Sequence, residues 1–167
     1  MYYFTADLHL GHKNIIKLCN RPFKTIEEHD KLIESNLVTL TSEDTLFILG
    51  DLGCKDNIYK LRGFLQKIKA DVKVILGNHD NLQMLVTLKR EGLISEIKES
   101  KLIQLGKDRI FLSQYPYREW PQFYKGAYHL YGHCHNRIQD FKKSTDVGVD
   151  KWKFAPVSWE RLEKYFV

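Results

Sequence analysis

The hydrophobic positions in the first half of the chain alternate between short continuous runs and longer periodic stretches. Short branched or aromatic runs bounded by polar residues or glycine predict buried strands over residues 2–4, 46–49 and 72–76. Between them, apolar residues recur every three or four positions. This spacing predicts helices over about residues 26–40, 58–68 and 82–92, with a shorter helix over residues 12–19 that ends before Pro22. The alternation of strands and helices is typical of parallel βαβ units.

Strand patterns dominate the second half. Residues 101–105 and 109–113 flank Gly106-Lys107-Asp108, which predicts a β-hairpin. Further strands are predicted over residues 128–131, 138–141 and 145–149, and Ser158 is expected to cap a closing helix that reaches Phe166. Thr25 with Glu28 forms a capping box at an earlier helix, and Asn57 caps another. We therefore expect antiparallel pairing here beside the parallel pairing of the first half.

The composition narrows the class of protein. With 167 residues and 43% hydrophobic content, the chain is large enough for one good core, so we expect a single domain over residues 1–167. No window approaches the ~18 apolar residues of a membrane span, and no secretion signal precedes the first strand, so we expect a cytoplasmic protein. The three cysteines, Cys19, Cys54 and Cys134, lack paired spacing and are predicted to be packed thiols. The net charge of +5 favours an anionic partner.

Polar residues of one chemical kind stand where the apolar runs end. The clusters are Asp7 with His9, Gly50-Asp51, Gly77-Asn78-His79-Asp80 and Gly132-His133-Cys134-His135. The carboxyl ends of neighbouring strands in an open α/β sheet meet at one crevice, so these clusters can share a site. Carboxylate, imidazole and amide oxygen, without pairs of thiolates, suit Zn, Mn, Fe, Ni or Co rather than a structural zinc. The sequence therefore predicts a metal site at the strand ends.

In their order and spacing, these motifs resemble those of the calcineurin-like metallophosphoesterases, and the resemblance spans nearly the whole chain. It implies an α/β fold with two facing mixed β-sheets flanked by helices. It also implies a metal-dependent phosphoesterase that hydrolyses a phosphomonoester or phosphodiester, plausibly nucleotide-like, by attack of a metal-bound hydroxide. Two divalent metal ions are expected, drawn from Mn, Ni, Fe, Zn and Co, with Mn favoured.

The resemblance also assigns roles to individual residues. Asp7, His9 and His135 are expected to bind the first ion, Asp51 to bridge both ions, and Asn78 and His133 to bind the second. His79 is expected to protonate the leaving alkoxide, with Asp80 fixing its tautomer and orientation. The alternative for His79 is that it only hydrogen-bonds the ligand shell.

One position departs from the family pattern. Where the family has a histidine that completes the second metal site, this chain has Gln114, followed by the expected Tyr115-Pro116. A glutamine carbonyl can bind a hard ion but is a weaker donor to zinc-like ions than imidazole. The possible consequences are a weakened second site, a metal preference moved towards Mn or Mg, or a chain altered to slow turnover.

Several weaker candidates lie near these motifs. His12, Asn14, Arg21 and Arg118 could hold the phosphate or sugar of a substrate, with ordinary surface or capping roles as the alternative. His29 is expected at the surface, because its neighbours are charged, and His129 within a strand. Tyr117, Trp120 and Phe123 could line a ring pocket, although aromatic residues more often lie in the core.

The sequence also allows two other functions. Relatives with eroded metal sites serve as protein-binding scaffolds, but a scaffold has no reason to retain the full set of metal ligands. A nuclease is less expected, because the chain lacks appended nucleic-acid-binding elements and its aromatic and basic stripe is incomplete. We therefore expect a small phosphorylated substrate such as a nucleotide as the partner, and no membrane; the sequence does not determine the oligomeric state.

Overall fold

The computed structural model describes residues 1–54 and 56–166. Within these ranges, the strands are Tyr2–Thr5 (β1), Thr45–Leu49 (β2), Asp71–Ile75 (β3), Glu96–Lys98 (β4), Ser100–Leu105 (β5), Asp108–Ser113 (β6), Tyr128–Tyr131 (β7), Ser144–Asp146 (β8) and Val157–Ser158 (β9). The α-helices are Ile15–Leu18 (α1), Ile26–Leu37 (α2), Ile58–Leu65 (α3), Leu82–Arg90 (α4) and Trp159–Tyr165 (α5). A single-turn 3₁₀ helix occupies Phe123–Lys125.

These strands form two mixed sheets. The first has the order β4-β3-β2-β1-β9, in which β1 to β4 are parallel and β9 is antiparallel to β1. The second has the order β5-β6-β7-β8, with an antiparallel hairpin of β5 and β6 followed by parallel pairing. The expected α/β fold with two mixed sheets flanked by helices is confirmed.

The hydrophobic core has two main layers because side chains of a strand alternate between its faces. In β2, Leu46 and Ile48 belong to a cluster with α2, α3 and α4, whereas Phe47 and Leu49 face the second sheet. The second sheet packs there through buried residues of β6 and β7, and α5 closes this layer with Trp159. Parallel strands covered on both faces are the usual result of βαβ connections. No helix in the described residues is long and apolar enough to span a membrane.

The structure corrects several predicted boundaries. The predicted strand over residues 138–141 is wrong: only an isolated bridge joins Phe141 to Ser144. Asp140 instead accepts hydrogen bonds from Thr145 and Lys151, which hold this segment as a loop. Helix α2 ends at Leu37 rather than near residue 40, and α1 is only four residues long. Strands β4 and β9, of three and two residues, are too short to produce a recognisable sequence period.

Candidate metal centre

Backbone hydrogen bonds join the ends of the central strands. The N–H of Asp7 donates to the Gly50 carbonyl at 3.1 Å, and the N–H of His9 donates to the Asp51 carbonyl at 2.9 Å. At Gly77, after β3, a Cβ atom would lie 2.3 Å from the backbone nitrogen of Asp51, so only glycine fits this approach. The segments after β1, β2 and β3 therefore lie in direct contact.

The backbone is in the left-handed region at five of the predicted metal ligands, namely Asp7 (φ 56°), His9 (φ 49°), Asp51 (φ 54°), His133 (φ 66°) and His135 (φ 48°). Non-glycine residues in this region cost about 1–3 kcal/mol each and cluster at functional sites. These turns bring side chains from separate strand ends towards one point. Strained backbone at several neighbouring residues is typical of a functional site, where the surrounding structure holds side chains in position at a cost in local stability.

The structure brings Asp7, His9 and His135 together: each offers one ligand atom, and these atoms lie within 4.8 Å of one another. The Nε2 atom of His9 is buried without a hydrogen-bond partner, and Asp51 Oδ2 lies 3.6 Å from it. Burial, followed by the nearby charge of His135, lowers the pKa of His9 to about 2, so the ring is neutral and one of its nitrogens has a free lone pair. These residues fit a divalent cation.

The carboxylates of the site also favour a cation. Asp7 is fully buried, and burial, followed by repulsion from Asp146 and Asp51, raises its pKa well above the usual range. Asp146 lies on β8 and was not predicted as a site residue; its carboxylate accepts from the backbone N–H groups of Asn136 and Gly148. Opposite charge nearby is what stabilises closely spaced buried carboxylates in their ionised form.

Asp150 also contacts the first metal group, although no motif in the sequence marks it. Its Oδ2 atom accepts a hydrogen bond of 2.7 Å from His135 Nδ1, which leaves Nε2 of that ring available to a metal. Although burial raises the pKa of Asp150, hydrogen bonds from His135 and Arg21 hold it below its usual value. No local sequence signal identifies Asp150, because its partners lie far away along the chain.

The predictions for Arg21 and His29 are wrong. Arg21 was predicted to contact substrate, but its side chain is fully buried and pairs with Asp150 at 2.8 Å. His29 was expected at the surface, but it has no exposed area and lies 2.7 Å from an Arg21 nitrogen. A helical signal was available, because His29 follows Ile26 by three positions and precedes Ile33 by four, on the buried face of α2.

The candidates for the second ion form an adjacent group. Asn78 Oδ1 and His133 Nδ1 are 3.1 Å apart and hydrogen-bonded. Gln114 is buried, and its amide nitrogen donates to Asp7 Oδ1 and Asp51 Oδ2, both at 3.2 Å. Its carbonyl Oε1 is buried without a hydrogen-bond partner. The Gln114 amide therefore points its N–H group, rather than its carbonyl oxygen, towards the two carboxylates.

The two predicted catalytic residues lie at the edge of this group. His79 is exposed, its backbone N–H donates to Asp51 Oδ1 at 2.9 Å, and its ring centroid is 5.5 Å from that of His9. The Asp80 carboxylate accepts from the backbone N–H groups of Gly77, Asp51 and Leu52, so it braces the loops after β2 and β3. That Asp80 also orients the His79 ring stays a prediction.

A cavity of about 480 Å³ adjoins the site and is bordered by His9, His12, Lys60 and His79, among other residues. The contact of His12 with a substrate stays a prediction. Asn14 is exposed at the N-cap of α1 without a capping hydrogen bond. Arg118 is exposed, with its guanidinium 4.5 Å from the centroid of the Phe141 ring.

The remaining aromatic and histidine candidates lie on or within the second sheet. Trp120 is buried on the outer face of this sheet, and Phe123 packs against the Trp120 ring. Tyr117 is exposed. His129 is a buried strand residue, as expected.

The three cysteines are free and partly buried. By distance, Cys19 could join His135 and Asp150 around a cation, because their ligand atoms lie within 4.8 Å of one another. Arg21 already neutralises Asp150 and would repel a cation there. Burial raises the pKa of Cys19, which favours the protonated thiol.

Comparison with known proteins places this site in a family. The family model described as calcineurin-like phosphoesterase matches residues 2–159. An uncharacterized protein of Methanocaldococcus jannaschii is 28% identical over 171 residues, covering 97% of this chain and 89% of its own. The gene 66 protein of Mycobacterium phage L5 is 24% identical, covering 90% of this chain and 86% of its own.

A solved structure supports the same fold. The crystal structure of a protein of unknown function from Aquifex aeolicus is similar to this chain with a TM-score of 0.75 and 26% identity, covering 99% of this chain and 98% of its own. The family model itself spans all the strand-end motifs, from Asp7 to His135. The chain therefore belongs to the calcineurin-like phosphoesterase family.

Proposed function

We propose that this protein uses two divalent metal ions to hydrolyse a small phosphomonoester or phosphodiester of nucleotide-like size. The observation that carries the proposal is the buried and unpartnered Nε2 atom of His9. His9 also offers a ligand atom to the group that it forms with Asp7 and His135, at the border of a cavity. A buried polar atom without a partner destabilises the fold by about 1–3 kcal/mol, and binding a metal ion would satisfy it.

The first ion is proposed to bind Asp7, His9, His135 and Asp51, and the second Asp51, Asn78 and His133, with Gln114 contributing only weakly. When bound, such ions act as Lewis acids on phosphoryl oxygens and lower the pKa of a water molecule. The mixed set of carboxylate, imidazole and amide donors favours Mn, with Ni, Fe, Zn and Co as alternatives.

The proposed chemistry assigns one proton transfer to the protein. The oxygen of a water molecule forms the new P–O bond and that water releases a proton to solvent, while the bond to the leaving oxygen breaks and a ring nitrogen of His79 gives the leaving oxygen its proton. His79 supports this role because its ring borders the cavity and its backbone N–H is anchored on Asp51. His79 lies at the solvent-exposed edge, so its ring can regain a proton from water after each turnover.

The cavity supports a small substrate. Its volume of about 480 Å³ lies within the range of ~300–1,000 Å³ that is usual for small-molecule sites. Leu10 and the glycines of the 9–12 and 53–54 segments provide apolar wall, whereas His12, Asn57 and Lys60 provide polar groups. His12, with Asn14 and Arg118 as weaker candidates, is proposed to contact the phosphate or sugar.

An assay of phosphate-ester hydrolysis tests this proposal. The protein is first freed of metal and then supplemented with Mn, Ni, Zn or Mg, and the substrates are bis-p-nitrophenyl phosphate, p-nitrophenyl phosphate and cyclic nucleotides. Asp51→Asn should abolish turnover, because a carboxylate is needed to bridge two ions while the hydrogen bond from His79 N–H can remain. Asp71→Asn is the matched control, since Asp71 is an exposed residue at the start of β3.

The two variants separate the possible outcomes. Metal-dependent hydrolysis that Asp51→Asn abolishes and Asp71→Asn retains supports the proposal. Hydrolysis that persists in Asp51→Asn would come from another site or a contaminant. If none of the four metals supports turnover of any of these esters, the protein-binding scaffold becomes the better explanation of the fold.

A further inference from the structure

A chain of polar side chains, mostly buried, connects helix α2 with the first metal group. Asp30 Oδ1 lies 2.9 Å from His29 Nδ1, and His29 Nε2 lies 2.7 Å from an Arg21 nitrogen. Arg21 then forms two hydrogen bonds of 2.8 Å with the carboxylate of Asp150. Asp150 in turn accepts from His135 Nδ1 at 2.7 Å. The series ends on a residue that we assign to the first ion.

Arg21 also holds the other half of that metal group. Nη2 of Arg21 donates to the backbone carbonyl of Asp7 at 2.8 Å, and Nη1 donates to the backbone carbonyl of Leu8 at 3.2 Å. Asp7 has a left-handed backbone, so its carbonyl direction depends on outside partners rather than on regular strand pairing. One guanidinium thus contacts both the segment that bears Asp7 and the carboxylate that orients His135.

The hydrogen-bond directions in this series are determined by the residue types. Arginine can only donate, so His29 Nε2 accepts and His29 Nδ1 carries the hydrogen that Asp30 accepts. The Asp150 carboxylate also accepts from Arg21, so His135 Nδ1 is its other donor and His135 Nε2 is left with a free lone pair. The series therefore selects the tautomer of His135 that can bind an ion through Nε2.

Stability alone does not explain such an arrangement. Replacing a buried ion pair with apolar side chains of similar volume is often neutral or stabilising, because desolvation offsets the attraction between the charges. In contrast, side chains that orient metal ligands typically change metal affinity by ~10–100-fold when they are removed. The position of Arg21, between two metal-binding segments, favours the second role.

We propose that Arg21, His29 and Asp150 form a positioning relay that sets the Asp7 segment and His135 Nε2 for the first ion. This inference rests on one part of the proposed function, which is that the site binds a divalent ion. Asp30 connects the relay with the substrate cavity, because it accepts from His29 and also from the N–H of Gly11 and from Lys60, both of which border that cavity. The three relay residues do not touch substrate; they act through the metal ligands.

Substitutions at His29 test the relay without changing a metal ligand. His29→Leu removes the acceptor for Arg21, whereas His29→Gln can place an amide oxygen close to the position of Nε2 and retain it. His129→Leu is the matched control, because His129 is an equally buried histidine with hydrogen bonds at both ring nitrogens to Ser113 and Ser144. The measurements are the dissociation constant for the tightest Mn²⁺, the visible spectrum of the Co²⁺ form, and urea unfolding of each metal-free variant.

We expect His29→Leu to weaken the tightest Mn²⁺ binding by ~10-fold or more and to alter the Co²⁺ spectrum, with His29→Gln within about threefold of the parent protein. Asp150→Asn, which weakens the acceptor on His135, should lower Mn²⁺ affinity in the same direction. His129→Leu should destabilise the fold while leaving Mn²⁺ affinity within about threefold.

The relay is refuted if folded His29→Leu and Asp150→Asn bind Mn²⁺ as the parent protein does. It is also refuted if His129→Leu weakens Mn²⁺ binding equally, because the loss would then follow general destabilisation. A protein that binds Mn²⁺ with the expected dependence on His29 but cleaves no phosphate ester would contradict the proposed function and leave the relay standing.

Discussion

Replacing Gln114 with histidine is expected to strengthen the binding of a second divalent ion. In the parent protein, the amide nitrogen of Gln114 lies between two buried carboxylates and donates to Asp7 and Asp51. This amide supplies hydrogen-bond donors at the place where the second ion would need Asp51. An imidazole at position 114 would instead offer a nitrogen lone pair, which is the better donor to Mn, Ni or Zn.

The size of the effect follows from the two hydrogen bonds. A hydrogen bond to a charged group contributes ~1.5–3 kcal/mol, so an ion that displaces both loses up to ~3–6 kcal/mol. At ~1.4 kcal/mol per tenfold change, this corresponds to a factor of ~10²–10⁴ in the dissociation constant. Rotation of the amide could present its carbonyl oxygen instead and recover part of this loss, so we expect Gln114→His to gain about 10²-fold for the second ion.

The affinity for the second ion is measured by calorimetric titration of metal-free protein with Mn²⁺. Turnover is measured under the same conditions. Gln114→His should raise the binding stoichiometry towards two ions and increase turnover in parallel, with the first ion little changed. Gln104→His is the control for adding a histidine, because Gln104 is exposed on β5 and donates only locally to the Gly106 carbonyl.

Equal stoichiometry and affinity in the parent protein and Gln114→His would refute this reasoning. It would show that Gln114 is already an adequate ligand or that no second ion enters. Higher occupancy with lower turnover would instead show that the site is adapted to the amide.

Three further expectations concern catalysis, pH and metal removal. His79→Ala should lower turnover by ~10²–10⁴-fold on a substrate with a poor leaving group and leave Mn²⁺ content unchanged; parallel loss of metal would contradict an acid role. Burial lowers the pKa of His129 to about 3, so below about pH 6.5 the unfolded chain takes up a proton that the folded chain does not. This difference by itself should lower the free energy of unfolding by ~2.5 kcal/mol between about pH 7 and pH 4.5, and urea titrations should show the pH slope reduced by about that amount in His129→Leu. Chelation of bound Mn²⁺ should lower the thermal midpoint, because an ion at 100 times its dissociation constant stabilises by ~2.7 kcal/mol; an unchanged midpoint would argue against tight binding.

Local patterns were sufficient for the regular elements that lie between clear boundary signals. The Thr25 and Glu28 capping box is present at the start of α2, and Asn57, Asn81 and Ser158 cap their helices through side-chain hydrogen bonds. These features depend on neighbours within four residues, so short-range sterics and hydrogen bonding determine them. The strand predicted over residues 138–141 is absent where Asp140 accepts hydrogen bonds from Thr145, Lys151 and Tyr165, which are 5, 11 and 25 positions away.

The sequence by itself determined that the candidate donor groups stand at strand ends and can meet there, because periodicity places the strands and the carboxyl ends of neighbouring strands converge. Only the tertiary structure decided the surroundings of those groups. Arg21 and Asp150 are 129 positions apart, and their pairing exists only because the segment between helices α1 and α2 and the segment after β8 pack around the end of β1. The direction of the Gln114 amide and the brace formed by Asp80 have the same cause. Burial and pairing between distant segments are set by how the layers pack, and no local pattern encodes them.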